Sequence, residues 1–380
     1  MNILIVTTSY PINEDGSEAA GSFVQDFARE LVTQGHTVSV AHPGNQTSTK
    51  IQNKITLYSF AVPHLPLSTL KPTQVKNWKA ILSALRAGHK TVEKAAMEIN
   101  ADNILALWSL PSGFWARSAA QKLNIQYSCW SLGSDIWTLG KIPVIKTVLK
   151  SVLKDSQYLY ADGDQLCSDV EKLSNKPCEF LPSSRVLPRQ HARKNNKAPY
   201  RLCFLGRWHE NKGIDLLVDA LQQLHDDDWS LIESFTLAGG GPLNDTVLTA
   251  MQKLSANSRP CRTLGYQNNK EASKLLFHSD IVIIPSRIES VPVIFSDAIQ
   301  ANCAVVATPV GDLPALINKF RCGLLTESTK TSDIADGIRN IIRTNITTYT
   351  SGIESATDYF SLESGVKKYI NALDSRENFG

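Results

Sequence analysis

Short, uninterrupted apolar runs recur along this chain, each followed by a stretch of helical period, and that alternation leaves few folds open. Ile3–Val6 is an all-apolar strand of the kind buried on both faces of a sheet. Val24, Phe27, Ala28, Leu31 and Val32 then repeat at i, i+3, i+4, i+7 and i+8, which predicts an amphipathic helix. The loop before it carries Gly16 and Gly21; Ser22 and Gln25 predict a capping box at the helix start, and Gly35 a stop. Thr37–Ala41 follows as the next strand. Units of this length demand a parallel sheet with right-handed crossovers. The pattern continues with a strand at Ile104–Trp108, a helix at Ser112–Leu123, a strand at Tyr127–Ser131 and a basic amphipathic helix at Ile142–Lys154.

Pro188–Pro199 breaks the alternation with a polar, basic, proline-bracketed stretch, expected to be a solvated tether between domains. From Arg201 the pattern restarts: strands at Leu202–Leu205, Phe235–Ala238 and Ile281–Ile284, helices at Ile214–Leu224 and Leu243–Leu254. At 380 residues the chain is too long for one core. The expected fold class is α/β, with two Rossmann-like doubly wound domains facing each other across a cleft. Residues 1–190 form the first and residues 191–359 the second. Ligands of such sheets bind outside the carboxyl ends of the strands.

Composition narrows the function classes. A net charge of +3 does not argue for nucleic acid, and no stacking aromatics interleave the basic linker. The seven cysteines are scattered without Cys-x-x-Cys spacing, which predicts a reducing compartment, no disulfide framework and no structural metal. Met1–Val6 lacks the basic lead and length of a signal peptide, so a cytoplasmic protein is expected. The helix at 142–154 sets Lys146, Lys150 and Lys154 opposite Ile145, Val148, Leu149, Val152 and Leu153. It either packs its apolar side into its own domain or rests on anionic lipid.

The chemistry concentrates in the second half. Glu289-Ser-Val-Pro-Val-Ile-Phe-Ser-Asp297 reads as a loop acid, a helix start and a second acid. Pro292 suits the first helical position, and the amides of Val293 and Ile294 then point outward with no helical partner, an anion site. The two acids are expected roughly 10–12 Å apart, one at each flank of that anion. Sugar hydroxyls, a diphosphate and ribose hydroxyls have the same layout. Gly206-Arg-Trp-His-Glu-Asn-Lys-Gly213 brings two cations, Arg207 and Lys212, to another helix start, as a departing diphosphate needs. It is not a Walker A loop, because the lysine precedes the glycine. Gly239-Gly-Gly241 permits close backbone approach to a ligand or is a plain turn, and Tyr266 offers a ring. In the first half, Gly21 is a candidate for contact with a phosphate or acceptor. Asp135, just after a strand, is either a ligand contact or a helix cap.

The order of these motifs resembles the GT-B glycosyltransferases of the retaining family usually called family 4. The matching pieces are Thr7–Pro11 with Gly21, Pro111-Ser-Gly113, Gly133-Ser-Asp135, Gly206-Arg207 with Asn211-Lys-Gly213, Gly239–Pro242, and Pro285-Ser-Arg-Ile-Glu-Ser290 through Asp297. The family's Glu-x7-Glu signature appears here as Glu289-x7-Asp297. The resemblance implies that Arg207 and Lys212 hold a donor diphosphate, that Glu289 contacts the transferred sugar, and that Asp297 takes the ribose hydroxyls. Gly206, Gly241, Ser290, Val293 and Ile294 would complete the donor cradle. It further implies a nucleotide-sugar donor (a UDP-sugar by family frequency), retention without a metal, and no cofactor beyond the donor. The acceptor would be a glycan, a lipid-linked glycan or a small molecule, as in polysaccharide biosynthesis, with peripheral contact on the inner membrane face through 142–154. A final helix at 360–375 is expected to cross back onto the first domain. Where family members often carry histidine, this chain has Leu107 and Leu132, and an aspartate stands for the second glutamate. An epimerase on the same scaffold, or a non-catalytic binder of nucleotide-sugar, are the alternatives.

Overall fold

The computed structural model describes residues 1–11, 21–192 and 194–375, and Gly16 lies outside that set. The described residues divide into two compact units, one of residues 1–11, 21–183 and 362–375, the other of residues 184–361. Both are α/β units of Rossmann type.

In the first unit β1 (Asn2–Val6), α1 (Ser22–Thr33), β2 (Thr37–Gly44), β3 (Ser48–Gln52) and β4 (Ile55–Ala61) lead into the long α2 (Trp78–Glu98). There follow β5 (Asn103–Leu107), α3 (Ser112–Leu123), β6 (Gln126–Ser131), α4 (Ser134–Trp137), α5 (Pro143–Asp155), β7 (Leu159–Ala161), α6 (Asp164–Ser174) and β8 (Glu179–Phe180). The sheet order is β3-β4-β2-β1-β5-β6-β7-β8, parallel except for the β3–β4 hairpin at its edge. Leu4 and Val6 of β1 pack with α2, α3, α5 and α6 in one buried cluster. Phe27 of α1 meets Trp130 at a ring distance of 5.1 Å, and the phenol of Tyr369 donates to Asn103 Oδ1 at 2.9 Å. Tyr369 belongs to the final helix, which is part of this unit.

The second unit runs β9 (Tyr200–Arg207), α7 (Ile214–Leu221), α8 (Asp226–Trp229), β10 (Ile232–Gly240), α9 (Asn244–Ala256), β11 (Cys261–Leu264), α10 (Asn269–Phe277) and β12 (Ile281–Ile284). It continues with α11 (Val293–Gln300), β13 (Ala304–Ala307), α12 (Leu313–Phe320), β14 (Gly323–Leu325), α13 (Thr331–Arg343) and α14 (Thr350–Tyr359) before the returning α15 (Leu362–Asp374). Its parallel sheet has the order β11-β10-β9-β12-β13-β14. The strands are continuous apolar runs, and Ile281, Ile283, Ala304 and Val306 sit in its core.

Four expectations are corrected. The chain crosses between units at Ser183–Ser184, ahead of 190, and Pro188–Pro199 is no free tether. Leu187 is buried, Ser273 donates its hydroxyl to the Pro188 carbonyl, and Asn195 N–H donates to Asp280 Oδ1 at 2.8 Å. Lys194 reaches the Leu276 carbonyl at the end of α10, where a cation meets the negative end of the helix. Gly21, rather than Ser22, is the N-cap of α1. Pro292 is the N-cap of α11 rather than its first helical residue. All seven cysteines are free.

Helix α2 lies so close to α3 that a Cβ on Gly88 would stand 2.4 Å from the Trp115 ring. That ring is fully buried and its indole N–H donates to the Leu85 carbonyl at 3.0 Å, so it cannot swing aside. Alanine gains about 1 kcal/mol over glycine from helix propensity, whereas overpacking costs about 1–3 kcal/mol. The clash wins. Gly88→Ala is expected to lower the urea midpoint at unchanged m-value; a raised midpoint would show that the helices part freely.

Candidate active site in the second unit

Strands β9 and β12 are neighbours, with Leu202 opposite Ile281, so the loops at their carboxyl ends run side by side. Their approach needs Gly213, whose φ is +65° and whose Cβ would fall 1.8 Å from the Pro285 carbonyl oxygen. Arg287 then clasps the two loops. Its backbone N–H donates to the Asn211 carbonyl at 2.8 Å and its Nη1 to the Glu210 carbonyl at 2.6 Å. Both Nη atoms meet the Asp215 carboxylate, at 2.7 and 2.6 Å. Burial tends to raise the Asp215 pKa, but the Arg287 guanidinium outweighs it and holds the carboxyl below its ordinary range.

This clasp brings Lys212 and Glu289 together as an ion pair between the loops. Glu289 Oε1 also accepts from Ser286 Oγ at 3.0 Å, and Thr308 Oγ1 donates to the Ser286 carbonyl at 2.5 Å. The loop after β13 closes in from a third side: Gly311, at φ +55°, would place a Cβ 2.2 Å from the Glu289 carbonyl oxygen. Glu289 is thus fixed by three loops. Just beyond it, Val293 and Ile294 open α11, and Ser290 is buried beside them. The first amides of a helix have no acceptor in a preceding turn, so they present donors outward.

Other predicted residues fall into separate groups. Gly206 and Arg207 end β9, with Arg207 exposed. Gly241 is held at φ +152°, where a Cβ would lie 2.6 Å from the Trp208 carbonyl, so the glycine run serves backbone packing on β9's extension. The Tyr266 ring stands against Gly240, within 2.8 Å of its missing Cβ, and is 47 % exposed. Among the described residues, no three His, Cys, Asp or Glu side chains gather as a metal would require.

Asp297 has a different setting from the one expected. It is 1 % exposed, and both its oxygens accept from Arg185, Nε at 3.0 and 2.9 Å and Nη2 at 2.6 Å. Gln300, one turn on, donates to the Arg185 carbonyl at 2.7 Å. Burial pushes the Asp297 carboxyl up even against that guanidinium. Arg185, Arg287 and Asp215 were not singled out by sequence reasoning. For Arg287 a signal existed, a cation two residues before Glu289; for Arg185 there was none, because its partner is 112 residues away.

In the first unit, Gly21 packs its backbone 2.9 Å from Ser9 and Tyr10 atoms, measured from its absent Cβ. Asp135 braces two loops. It is fully buried, and its carboxylate accepts from the backbone N–H groups of Ser109 at 2.6 Å, Leu132 at 3.2 Å and Ile136 at 3.2 Å. It ties the loops after β5 and β6 together. Leu107 is buried and Leu132 half-buried.

Burial raises the Asp135 pKa to about 6, above the ordinary 3.8. The folded state therefore holds this proton more tightly than the unfolded chain, and the contribution to stability falls as pH rises from about 4 to about 6. Asp135→Asn lacks this slope. Its melting temperature relative to the parent is expected to rise across that window; a constant offset would place the carboxyl's titration elsewhere.

Residues 199–344 match the family described as Glycosyl transferases group 1. Along most of its length the chain resembles the N-acetyl-alpha-D-glucosaminyl L-malate synthase of Bacillus anthracis, at 22 % identity over 88 % of this chain and 86 % of that one. Among solved structures it superposes on sucrose-phosphate synthase from Thermosynechococcus elongatus with a TM-score of 0.76, at 14 % identity and full coverage of both chains. It also superposes on Anabaena HepE in complex with UDP-glucose, with a TM-score of 0.70, 14 % identity and coverage of 99 % and 100 %. The fold is that of the GT-B glycosyltransferases, and residues 199–344 carry a glycosyltransferase group 1 domain on it.

Proposed function

We propose that this glycosyltransferase is a retaining, metal-independent enzyme that takes a sugar from a nucleotide-sugar, a UDP-sugar in the first instance. The observation that carries the reading is the Lys212–Glu289 pair, presented by two clasped loops beside the first amides of α11. A diphosphate arriving there competes for Lys212, joins Arg207, and accepts from the Val293 and Ile294 N–H groups. Released from the pair, Glu289 remains aimed by Ser286 and accepts from hydroxyls of the transferred sugar. With both oxygens of Asp297 committed to Arg185, its share in ribose recognition runs through that guanidinium. The solved structure of HepE with UDP-glucose supports a uridine donor on this fold.

In the reaction the bond from the anomeric carbon to the leaving phosphate breaks, and the acceptor oxygen bonds on the same face. The departing phosphate oxygen takes the acceptor's proton, so the leucines at 107 and 132 do not block the chemistry. Fixed cations beside a helix start stabilise the developing diphosphate charge, each by ~2–4 kcal/mol of barrier. The acceptor is a glycan, lipid-linked or small-molecule hydroxyl reached from the cytoplasm, and α5 contributes peripheral membrane contact through Lys146, Lys150 and Lys154.

Lys212→Ala is expected to lower turnover about 10²–10³-fold with the fold intact by circular dichroism; wild-type turnover would remove the lysine from the mechanism. In a melting-temperature panel of UDP, GDP and ADP, the correct nucleotide at 100 times its Kd adds ~2.7 kcal/mol of stability, and EDTA leaves that gain unchanged. A nucleotide-sugar that is altered with no acceptor present would identify an epimerase instead.

A further inference from the structure

We infer that the outer side of the first unit, from residue 65 through the opening turns of α2, is a docking surface for an anionic lipid bilayer. Between Glu30 and Glu93 the sequence contains no acidic residue, yet it carries Lys50, Lys54, Lys71, Lys76, Lys79, Arg86 and Lys90. The whole chain is only +3, so its positive charge is concentrated in this segment. A solvated loop would be expected to mix both signs.

The apolar residues in the same place are not core. No residue from 62 through 83 is buried. Val75 is 70 % exposed, Trp78 54 %, Leu82 51 % and Leu65 40 %. The reason lies in α2. Its inner side, with Ala84, Gly88, Val92 and Ala95, is pressed onto the unit. Trp78, Lys79, Leu82 and Arg86, at helical spacing, fall on the outer side and are exposed. The Trp78 indole N–H donates to the Pro72 carbonyl at 2.8 Å, which fastens the preceding segment to the helix start and leaves the ring facing out.

Interleaved cations and apolar side chains with no acid discriminate among partners. A single-stranded nucleic acid would want a series of stacking aromatics, and this surface offers one. A free anion would want convergent donors. A bilayer with acidic headgroups satisfies both halves: lysines meet the headgroups, while a tryptophan and aliphatic side chains enter the interface. Among the described residues no helix is long and apolar enough to cross a membrane, so the contact lies on the surface. This surface is distinct from α5, from which α3 separates it, and it does not depend on the transfer reaction.

Co-sedimentation with phosphatidylcholine vesicles, with and without phosphatidylglycerol, tests it using the full chain and no sugar substrate. The parent should bind vesicles containing phosphatidylglycerol and not phosphatidylcholine alone. Each lysine is worth about five-fold at such a surface, so K71Q/K76Q/K79Q should weaken binding about a hundred-fold. W78S/L82S should weaken binding that persists in high salt, and K146Q/K150Q/K154Q, which removes the separate contact proposed for α5, should weaken binding less than K71Q/K76Q/K79Q does. Since all these positions are exposed, melting temperatures should match the parent's. Three outcomes would overturn the inference: no binding by the parent, undiminished binding by K71Q/K76Q/K79Q, or loss only in the α5 variant. Equal competition by soluble heparin, with W78S/L82S unaffected, would also overturn it by showing a general polyanion site.

Discussion

Two loops meet backbone to backbone where Gly213 lies under the Pro285 carbonyl, and the charge arrangement around Glu289 depends on that contact. A side chain at 213 would require the loops after β9 and β12 to separate. The clasp by Arg287 would then lose its reach to Glu210 and Asp215, and Lys212 would no longer stand over Glu289. A similar absence at Gly311 lets the loop after β13 close the third side. The catalytic candidates are therefore placed by missing side chains as much as by the present ones.

Charge in this unit follows a common pattern. Arg287 with Asp215, Lys212 with Glu289, Arg185 with Asp297 and Arg201 with Asp280 each join one segment to another. Such pairs are weak evidence for stability, since desolvation offsets much of the attraction. Their value here is geometric. Arg185 and Arg287 offer planar, bidentate donors that fix a carboxylate's orientation, which a lysine does not. Lys212 is the exception, a point charge on a flexible stem, and so the member best able to leave its partner for an incoming anion.

The strands and most helices were legible because buried parallel strands are continuous apolar runs: Ile281–Ile284 and Ser112–Leu123 have the bounds that periodicity predicts. The β3–β4 hairpin and α2 were not. Edge strand β3 is mostly exposed and so carries no apolar run, and the segment before α2 buries nothing. At the site, Lys212 and Glu289 were each legible as candidates, but their ion pair was not, because it depends on β9 and β12 lying side by side in the sheet. The glycine run at 239–241 was ambiguous because a close approach to a ligand and a close approach to Trp208 demand the same residue. Asp135 was readable as an acid after a strand, but its commitment to three amides depends on how two loops fold together.

The bond between Arg185 and Asp297 gives the place where the polypeptide enters the second unit an unusual status. Arg185 is the second residue after the crossing, and its carboxylate partner sits in the middle of α11, whose opening amides belong to the proposed donor site. Connector and α11 are consequently one mechanical piece. Mutational drift in this linker, ordinarily the most permissive part of a two-domain protein, is constrained here, because removing the guanidinium would strand a negative charge inside the helix's own packing.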